Sequence, residues 1–204
     1  MMKKILVIVG VVLFVFTSCA SGGAPKVQRV DSSTQTDLSG YWNDTDVRIV
    51  CKSLIDDCLS SPRVDAAIKA KRGKTPMVIV GRFKNESSEH IDTSIISSIM
   101  EQTIFNSGKL DFVAGGSTRD DIRAERQDQQ SNASEATAKA LANETGADFM
   151  LTGSVKSMVD RAGNQTVRTY FVDAQMTNIE NNQRMWYGQN SEIKKVIVQP
   201  KNKL

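Results

Sequence analysis

The sequence predicts an α+β domain: a mixed, largely antiparallel sheet flanked by helices, with its elements in βα-βα-βββ order. Three observations point there. The 204 residues, 40% hydrophobic and 24% charged, have the length and composition of one globular domain with appendages. The β-branched run Met77–Phe83 is followed by a segment of helical periodicity and then by a second short apolar run. The last third alternates apolar and polar residues between turn signals, the pattern of antiparallel strands.

Residues 1–18 stand apart from that domain. Lys3 and Lys4 precede Ile5–Phe16, in which every residue but Gly10 is strongly apolar. The stretch is too short for a transmembrane helix, which takes about 20 residues, and fits the apolar core of a secretory signal. It runs into Phe16-Thr17-Ser18-Cys19, followed by Ala20 and Ser21. Small residues directly before a cysteine resemble a bacterial lipobox, with Phe16 standing where leucine is usual. The resemblance implies cleavage before Cys19, a diacylglycerol thioether on its sulfur and an acyl chain on the new amino group. Cys19 is therefore the expected lipid-attachment site and membrane anchor, because two or more chains hold firmly where one is marginal. Ala20, rather than aspartate, implies the outer membrane, with the domain on its periplasmic face. Removing residues 1–18 takes away two lysines and no acid, so the formal charge of +3 shrinks towards neutrality. No basic stripe or tail remains, which argues against nucleic-acid binding.

Residues 20–38 are small and polar without periodicity and read as a flexible linker, from the lipidated cysteine to a domain over residues 39–200. Asn43 with Asp46 signals a helix start, and Val47, Val50, Leu54 and Cys58 recur at helical spacing. Cys51 and Cys58 would lie about 10 Å apart on such a helix, beyond the disulfide limit of about 7 Å, and are expected to be small buried hydrophobes. Ser61-Pro62 opens a second helix, with Val64, Ala67 and Ile68 as its stripe and Gly73 at its end. Met77–Phe83 reads as a buried strand. Ile91–Phe105 reads as an amphipathic helix on Ile91, Ile95, Ile99 and the neighbouring Ile96 and Met100, closed by Asn106-Ser107-Gly108. Leu110–Ala114 is the next strand. Ser117–Gln130 is a charged helix with Ser117 and Asp120 in capping positions, and Ser134–Thr145 is a further helix stopping at Gly146. Three strands, Ala147–Val159, Val167–Ile179 and Arg184–Val198, are joined by turns at Ala162-Gly163-Asn164 and Glu180-Asn181-Asn182. In the middle one Tyr170, Val172, Ala174 and Met176 share a face, and Thr169, Asp173, Gln175 and Thr177 the other, interrupted by Phe171.

No arrangement of residues points to catalysis, a cofactor or a metal. One histidine and three cysteines are too few for most zinc sites, which take about four convergent ligands. Gly73-Lys74-Thr75 resembles the end of a phosphate-binding loop, but position 68 is Ile where the motif needs glycine, and helix precedes strand instead of following it. His90, just before a helix, reads as a local polar or capping residue. Asp120, Asp121, Glu125 and Asp128 are interleaved with Arg119, Arg123 and Arg126, the pattern of a solvated, salt-bridged helix face. The chain is expected not to be an enzyme and to have no small-molecule substrate.

Five stretches then resemble one family: DLSGYWNDTDVRIV (37–50), VGRFKNESSEHIDT (80–93), NSGKLDFVAGGSTRDDIRAERQDQQ (106–130), ETGADFMLTGSVKSMVD (144–160) and NIENNQRMWYGQ (178–189). They are similar to the penicillin-binding-protein activator lipoproteins of the LpoB type. The resemblance covers most of residues 37–197 and contains no catalytic signature. It implies an outer-membrane lipoprotein whose periplasmic domain binds a bifunctional penicillin-binding protein and stimulates glycan polymerisation and crosslinking, the catalysis being the partner's.

In one respect the chain departs from that family, whose best-known members carry a long disordered stretch. Here the linker spans at most about 65 Å fully extended, and about 25 Å as a coil. With a domain about 40–45 Å across, meeting an inner-membrane synthase requires a thin periplasm or a tall partner. Two other classes stay open: a subunit of a curli-export-type outer-membrane secretion assembly, and a structural envelope lipoprotein with another partner. The secretion subunit would need extra lipid-facing strands of roughly 9–11 alternating residues, for which no spare segment exists.

Overall fold

The computed structural model of the chain describes residues 28–31, 33–71, 73–132 and 146–200. The expected signal segment, Cys19 and the expected helix Ser134–Thr145 lie outside the described residues. The chain divides into two units, Met1–Thr34 and Gln35–Leu204. In the first, the Thr34 N–H donates to the Asp31 carbonyl at 3.0 Å in a local turn. The second holds the α+β domain.

Helix α1, Asp44–Ser60, starts where the sequence places it. The Asn43 side chain accepts from the Asp46 N–H at 3.1 Å, and the Asp46 carboxylate accepts from the Asn43 N–H at 2.9 Å, a reciprocal capping box. Val47, Val50, Cys51, Leu54, Ile55, Cys58 and Leu59 form its buried stripe. Ser61 leaves the helix in an extended conformation, as a residue before proline prefers, and Pro62 opens α2, Pro62–Ala70. Helix α3, Thr93–Ser107, is capped by Asp92, whose carboxylate accepts from the Ser94 N–H at 3.0 Å, and closes on Gly108 at φ 65°. Helix α4 spans Gly116–Asn132.

The sheet has the order β2-β1-β3-β4-β5, with β6 also paired to β4. Its strands are β1 Met77–Asn85, β2 Asp111–Phe112, β3 Phe149–Ala162, β4 Gln165–Asn178, β5 Arg184–Asn190 and β6 Lys194–Val198. β1 pairs in parallel with β2 and β3, and the remaining pairs are antiparallel. The mixed, mostly antiparallel sheet flanked by helices is the fold class that the sequence predicts. On one face α3 packs on β1, and α1 packs on α3 and β5. The Trp186 indole donates to the Asp57 carboxylate at 2.7 Å, pinning α1 to β5. The core between these layers contains Val78, Phe83, Leu151, Val155, Tyr170, Val172 and Met176 from the sheet, and Ile55, Ile96, Met100 and Ile104 from the helices.

Several details differ from expectation. In α3 the buried stripe is Ile96, Met100 and Ile104, while Ile95 is 50% exposed; Ile91 precedes the helix. Arg82 and Lys84 are not buried, so β1 is covered mainly in its first half. β2 has two residues rather than five. Ser117 lies inside α4 rather than at a cap. Arg184–Val198 is two strands, because Asn190 turns the chain by accepting the Glu192 N–H at 3.1 Å and Ile193 is buried. Both halves pair with β4, β6 at residues 165–169 and β5 at residues 172–177.

Candidate functional site

The sheet face opposite α1 and α3 carries a polar groove of about 480 Å³. Strand periodicity builds it in cross-strand rows. Lys84, Ser154 and Asp173 are register partners across β1, β3 and β4, and Thr152, Gln175 and Tyr187 across β3, β4 and β5. A bulge in β1 sets Gly81 and Arg82 against the single residue Thr152, directing Arg82 into the groove. Gly81 permits the close approach, since a Cβ there would stand 2.9 Å from the Thr152 methyl.

The groove's charges do not cancel. The Lys156 ammonium lies 3.0 Å from the Asp173 carboxylate and 3.6 Å from that of Glu86. Ser154 donates its hydroxyl to Asp173 at 2.9 Å. Asp173, with Glu86 behind it, raises the Lys156 pKa, so that ammonium stays charged and neutralised. Arg82, Lys84 and Arg184 have no ion pair among the described residues, and the Arg184 guanidinium stands 5.5 Å over the Tyr187 ring. These three cations stand around a floor of Thr152, Ser154 and Gln175.

On the helix-covered face, residues Asp37–Asn43 are strapped across the ends of β4 and β6. Arg168 of β4 pairs with Glu89 at 3.1 Å, both side chains only 8% exposed. It donates to the Gly40 carbonyl at 3.0 Å and lies 4.2 Å from the centre of the Tyr41 ring. Glu89 also accepts from the Tyr170 hydroxyl at 2.8 Å and from the Trp42 N–H at 3.3 Å. Burial, reinforced by Glu89, pushes the Tyr170 phenol well above its ordinary pKa. Lys195 of β6 binds Asp46 at 2.7 Å, Asp37 at 3.0 Å and the Tyr41 carbonyl at 2.9 Å. Gly40 lies so close to Ile197 that a Cβ there would meet its side chain at 2.0 Å.

The residues singled out in the sequence do not converge. Cys19 lies outside the described residues. His90 is exposed in the loop before α3, whose cap is Asp92. Asp120, Asp121 and Glu125 are exposed on α4, with Arg123 3.9 Å from Asp120; the Asp128 side chain is outside the described residues. Lys74 follows a helix and precedes β1, the reverse of a phosphate-binding loop. Cys51 and Cys58 are buried and unbridged, and burial pushes both thiols up to about 12. Among the described residues no cluster of three or more His, Cys, Asp or Glu could hold a metal, and no helix is long and apolar enough to cross a membrane. Arg82, Lys84 and Arg184 were not marked by the sequence reading. Their signal is present in β1, where Arg82 and Lys84 flank the buried Phe83.

A mixed sheet backed by helices on one face and carrying a cationic polar groove on the other defines an α+β domain with one open sheet face. The sequence model of the peptidoglycan-synthase activator LpoB family matches residues 46–191, and the chain belongs to that family. Its members are regulators of peptidoglycan synthesis. Similar solved structures include the LpoB C-terminal domain from Escherichia coli, at 13% identity and a TM-score of 0.44, covering 76% of this chain and 99% of that one. The corresponding domain from Salmonella enterica matches at 14% identity and a TM-score of 0.43, over 76% and 99%. Lipoprotein GNA1162 from Neisseria meningitidis matches at 16% identity and 0.37, over 59% and 83%. No curated protein sequence matches the chain.

Proposed function

We propose that the chain is an outer-membrane lipoprotein, anchored through Cys19 with its domain on the periplasmic face, that binds a bifunctional penicillin-binding protein and stimulates its glycan polymerisation and crosslinking. The family match over residues 46–191 carries this reading. The chain contributes no catalytic group; its part is a docking surface, and the groove around Arg82, Lys84 and Arg184 is the surface suited to that part. Free cations on a groove rim attract an acidic partner surface and set its approach. The short expected linker adds a geometric condition: with about 25 Å of coil and a domain about 40–45 Å across, the partner must rise to within about 65–70 Å of the outer membrane.

The test is a binding and polymerisation assay with the full chain and each synthase of the same cell. Arg82→Glu combined with Arg184→Glu is expected to weaken binding by about tenfold or more and to flatten its salt dependence. A chain that neither binds nor stimulates any of those synthases refutes the proposal.

A further inference from the structure

The charges of the polar groove are ordered along its length. Arg82, Lys84 and Glu86 line it from alternate positions of β1 and its continuation, about 7 Å apart. The Glu86 N–H donates to the Val155 carbonyl at 2.8 Å, so Glu86 is still in the β1–β3 ladder. Register places Arg184 beside Thr177, Tyr187 beside Gln175, and Lys84 in the row of Ser154 and Asp173. Lys156 lies one row further on. Two arginines therefore stand at one end of the groove, with Lys84 midway. At the other end the Lys156 ammonium sits between the carboxylates of Asp173 and Glu86, at 3.0 and 3.6 Å. One base against two acids leaves that end with a net charge of −1, whereas the two arginines give the opposite end +2.

The β1 backbone beneath these charges is held at both edges. β3 pairs with it on one side. On the other, the Ser97 hydroxyl of α3 donates to the Gly81 carbonyl at 3.3 Å, and the Thr93 hydroxyl to the Phe83 carbonyl at 2.8 Å. The order of charges is thus set before any partner arrives, and no ordering cost falls on its backbone at binding. Of the two acids, Asp173 is 17% exposed and accepts from both Lys156 and Ser154. Glu86 is 46% exposed, with Lys156 as its one ion-pair partner among the described residues. Glu86 is therefore the acid that an incoming surface meets. A uniformly anionic surface laid along the groove gains at the arginine end and loses at Glu86. One with acids at one end and a base at the other gains at both.

We propose that the groove selects its partner by polarity. It receives a surface that sets carboxylates over Arg82 and Arg184 and a lysine or arginine over Glu86, about 13 Å along β1 from Arg82, and Glu86 is the residue that decides specificity. The proposal rests on the reading of the groove as the docking surface for the synthase. It adds a fixed orientation to that reading, because a partner turned end for end would bring like charges together at both ends of the groove.

The experiment measures how the full chain binds two probes, each synthase of the same cell and a fluorescent polyglutamate peptide, in the parent, Glu86→Gln and Glu86→Lys. Glu86 is half-exposed and Lys156 keeps Asp173 at 3.0 Å, so both variants are expected to hold the parental thermal midpoint. Glu86→Lys should tighten polyglutamate about threefold or more and weaken the synthase about tenfold, with Glu86→Gln moving each probe the same way by less. Opposite signs on the two probes are the signature, since a damaged groove would weaken both. If Glu86→Lys binds the synthase as tightly as the parent, or more tightly, selection by polarity is refuted and the docking reading stands. Polyglutamate binding that does not rise overturns the proposal as well, because Glu86 then does not shape the field of the groove. A parent that binds no synthase refutes the docking reading and this proposal together.

Discussion

Replacing Glu89 by glutamine isolates the charge at the centre of the strap. The new amide oxygen, standing where Glu89 Oε2 stands, can still accept from the Tyr170 hydroxyl at 2.9 Å and the Trp42 N–H at 3.3 Å. It leaves the Arg168 guanidinium without its counter-ion. Both side chains are 8% exposed, so solvent screens little of the loss. Breaking a buried pair from one side costs about 3–5 kcal/mol. Arg168 keeps the Gly40 carbonyl at 3.0 Å and the Tyr41 ring at 4.2 Å, which favours the low end. We expect about 3 kcal/mol, read as a lower midpoint in reversible urea unfolding, and a melting temperature lower by about 6–12 °C for a domain of this size. Removing both charges in Glu89→Gln/Arg168→Met should cost less than Glu89→Gln alone, because the acceptor for Tyr170 and Trp42 is kept and no orphaned ion remains. If Glu89→Gln stays within about 0.5 kcal/mol of the parent, a change no larger than an ordinary surface substitution makes, the pair does not hold the strap and the reasoning is wrong.

Three further outcomes follow from the same structure. Burial disfavours the Asp148 carboxylate, but the Lys71 ammonium and the Met77 N–H outweigh that and hold its pKa below 3.8. Its contribution is therefore present above the unfolded value and lost as pH falls through the folded one, so Asp148→Asn should cost about 1 kcal/mol at neutral pH and flatten the acid limb of a stability–pH curve. Gly153→Ala would set a Cβ 2.1 Å from the Asp173 carbonyl oxygen and 2.4 Å from the Phe83 ring; such overpacking should cost about 2–3 kcal/mol by urea titration. Cys51 and Cys58, both pushed up to about 12 by burial, should resist a thiol reagent at about pH 8 in a Cys19→Ala chain and react stoichiometrically in denaturant.

What local chemistry dictates was legible in the sequence. Asn43 and Asp46 cap α1 because the two residues satisfy each other three positions apart, and Tyr170 through Met176 alternate because only one face of β4 meets the core. The strap was not legible. Glu89 and Arg168 are far apart in the chain and read singly as surface residues; only the pairing of β4 with β6, and the path of Asp37–Asn43 across them, buries both. Misplacement of the α3 stripe has a similar cause. Ile95 and Ile96 fit helical spacing equally well, and the position of Asp92 as cap, with β1 beneath, decides which faces inward. In the candidate site, the alternation of Arg82 and Lys84 around Phe83 was visible, but a bulge and three partner strands were needed to gather Arg82, Lys84 and Arg184 into one groove.

Arg168 and Lys195 are direct register partners on adjacent strands, and both grip the same strap. A pull on the chain from its N-terminal side therefore loads the two cations side by side rather than in succession. Bonds loaded in parallel share the force, so the strap should give way in one step at a force set by both residues, and not peel residue by residue. Under such a pull the point where the domain first yields is this pair of cations on β4 and β6, and the sheet behind them is disturbed only after both have let go.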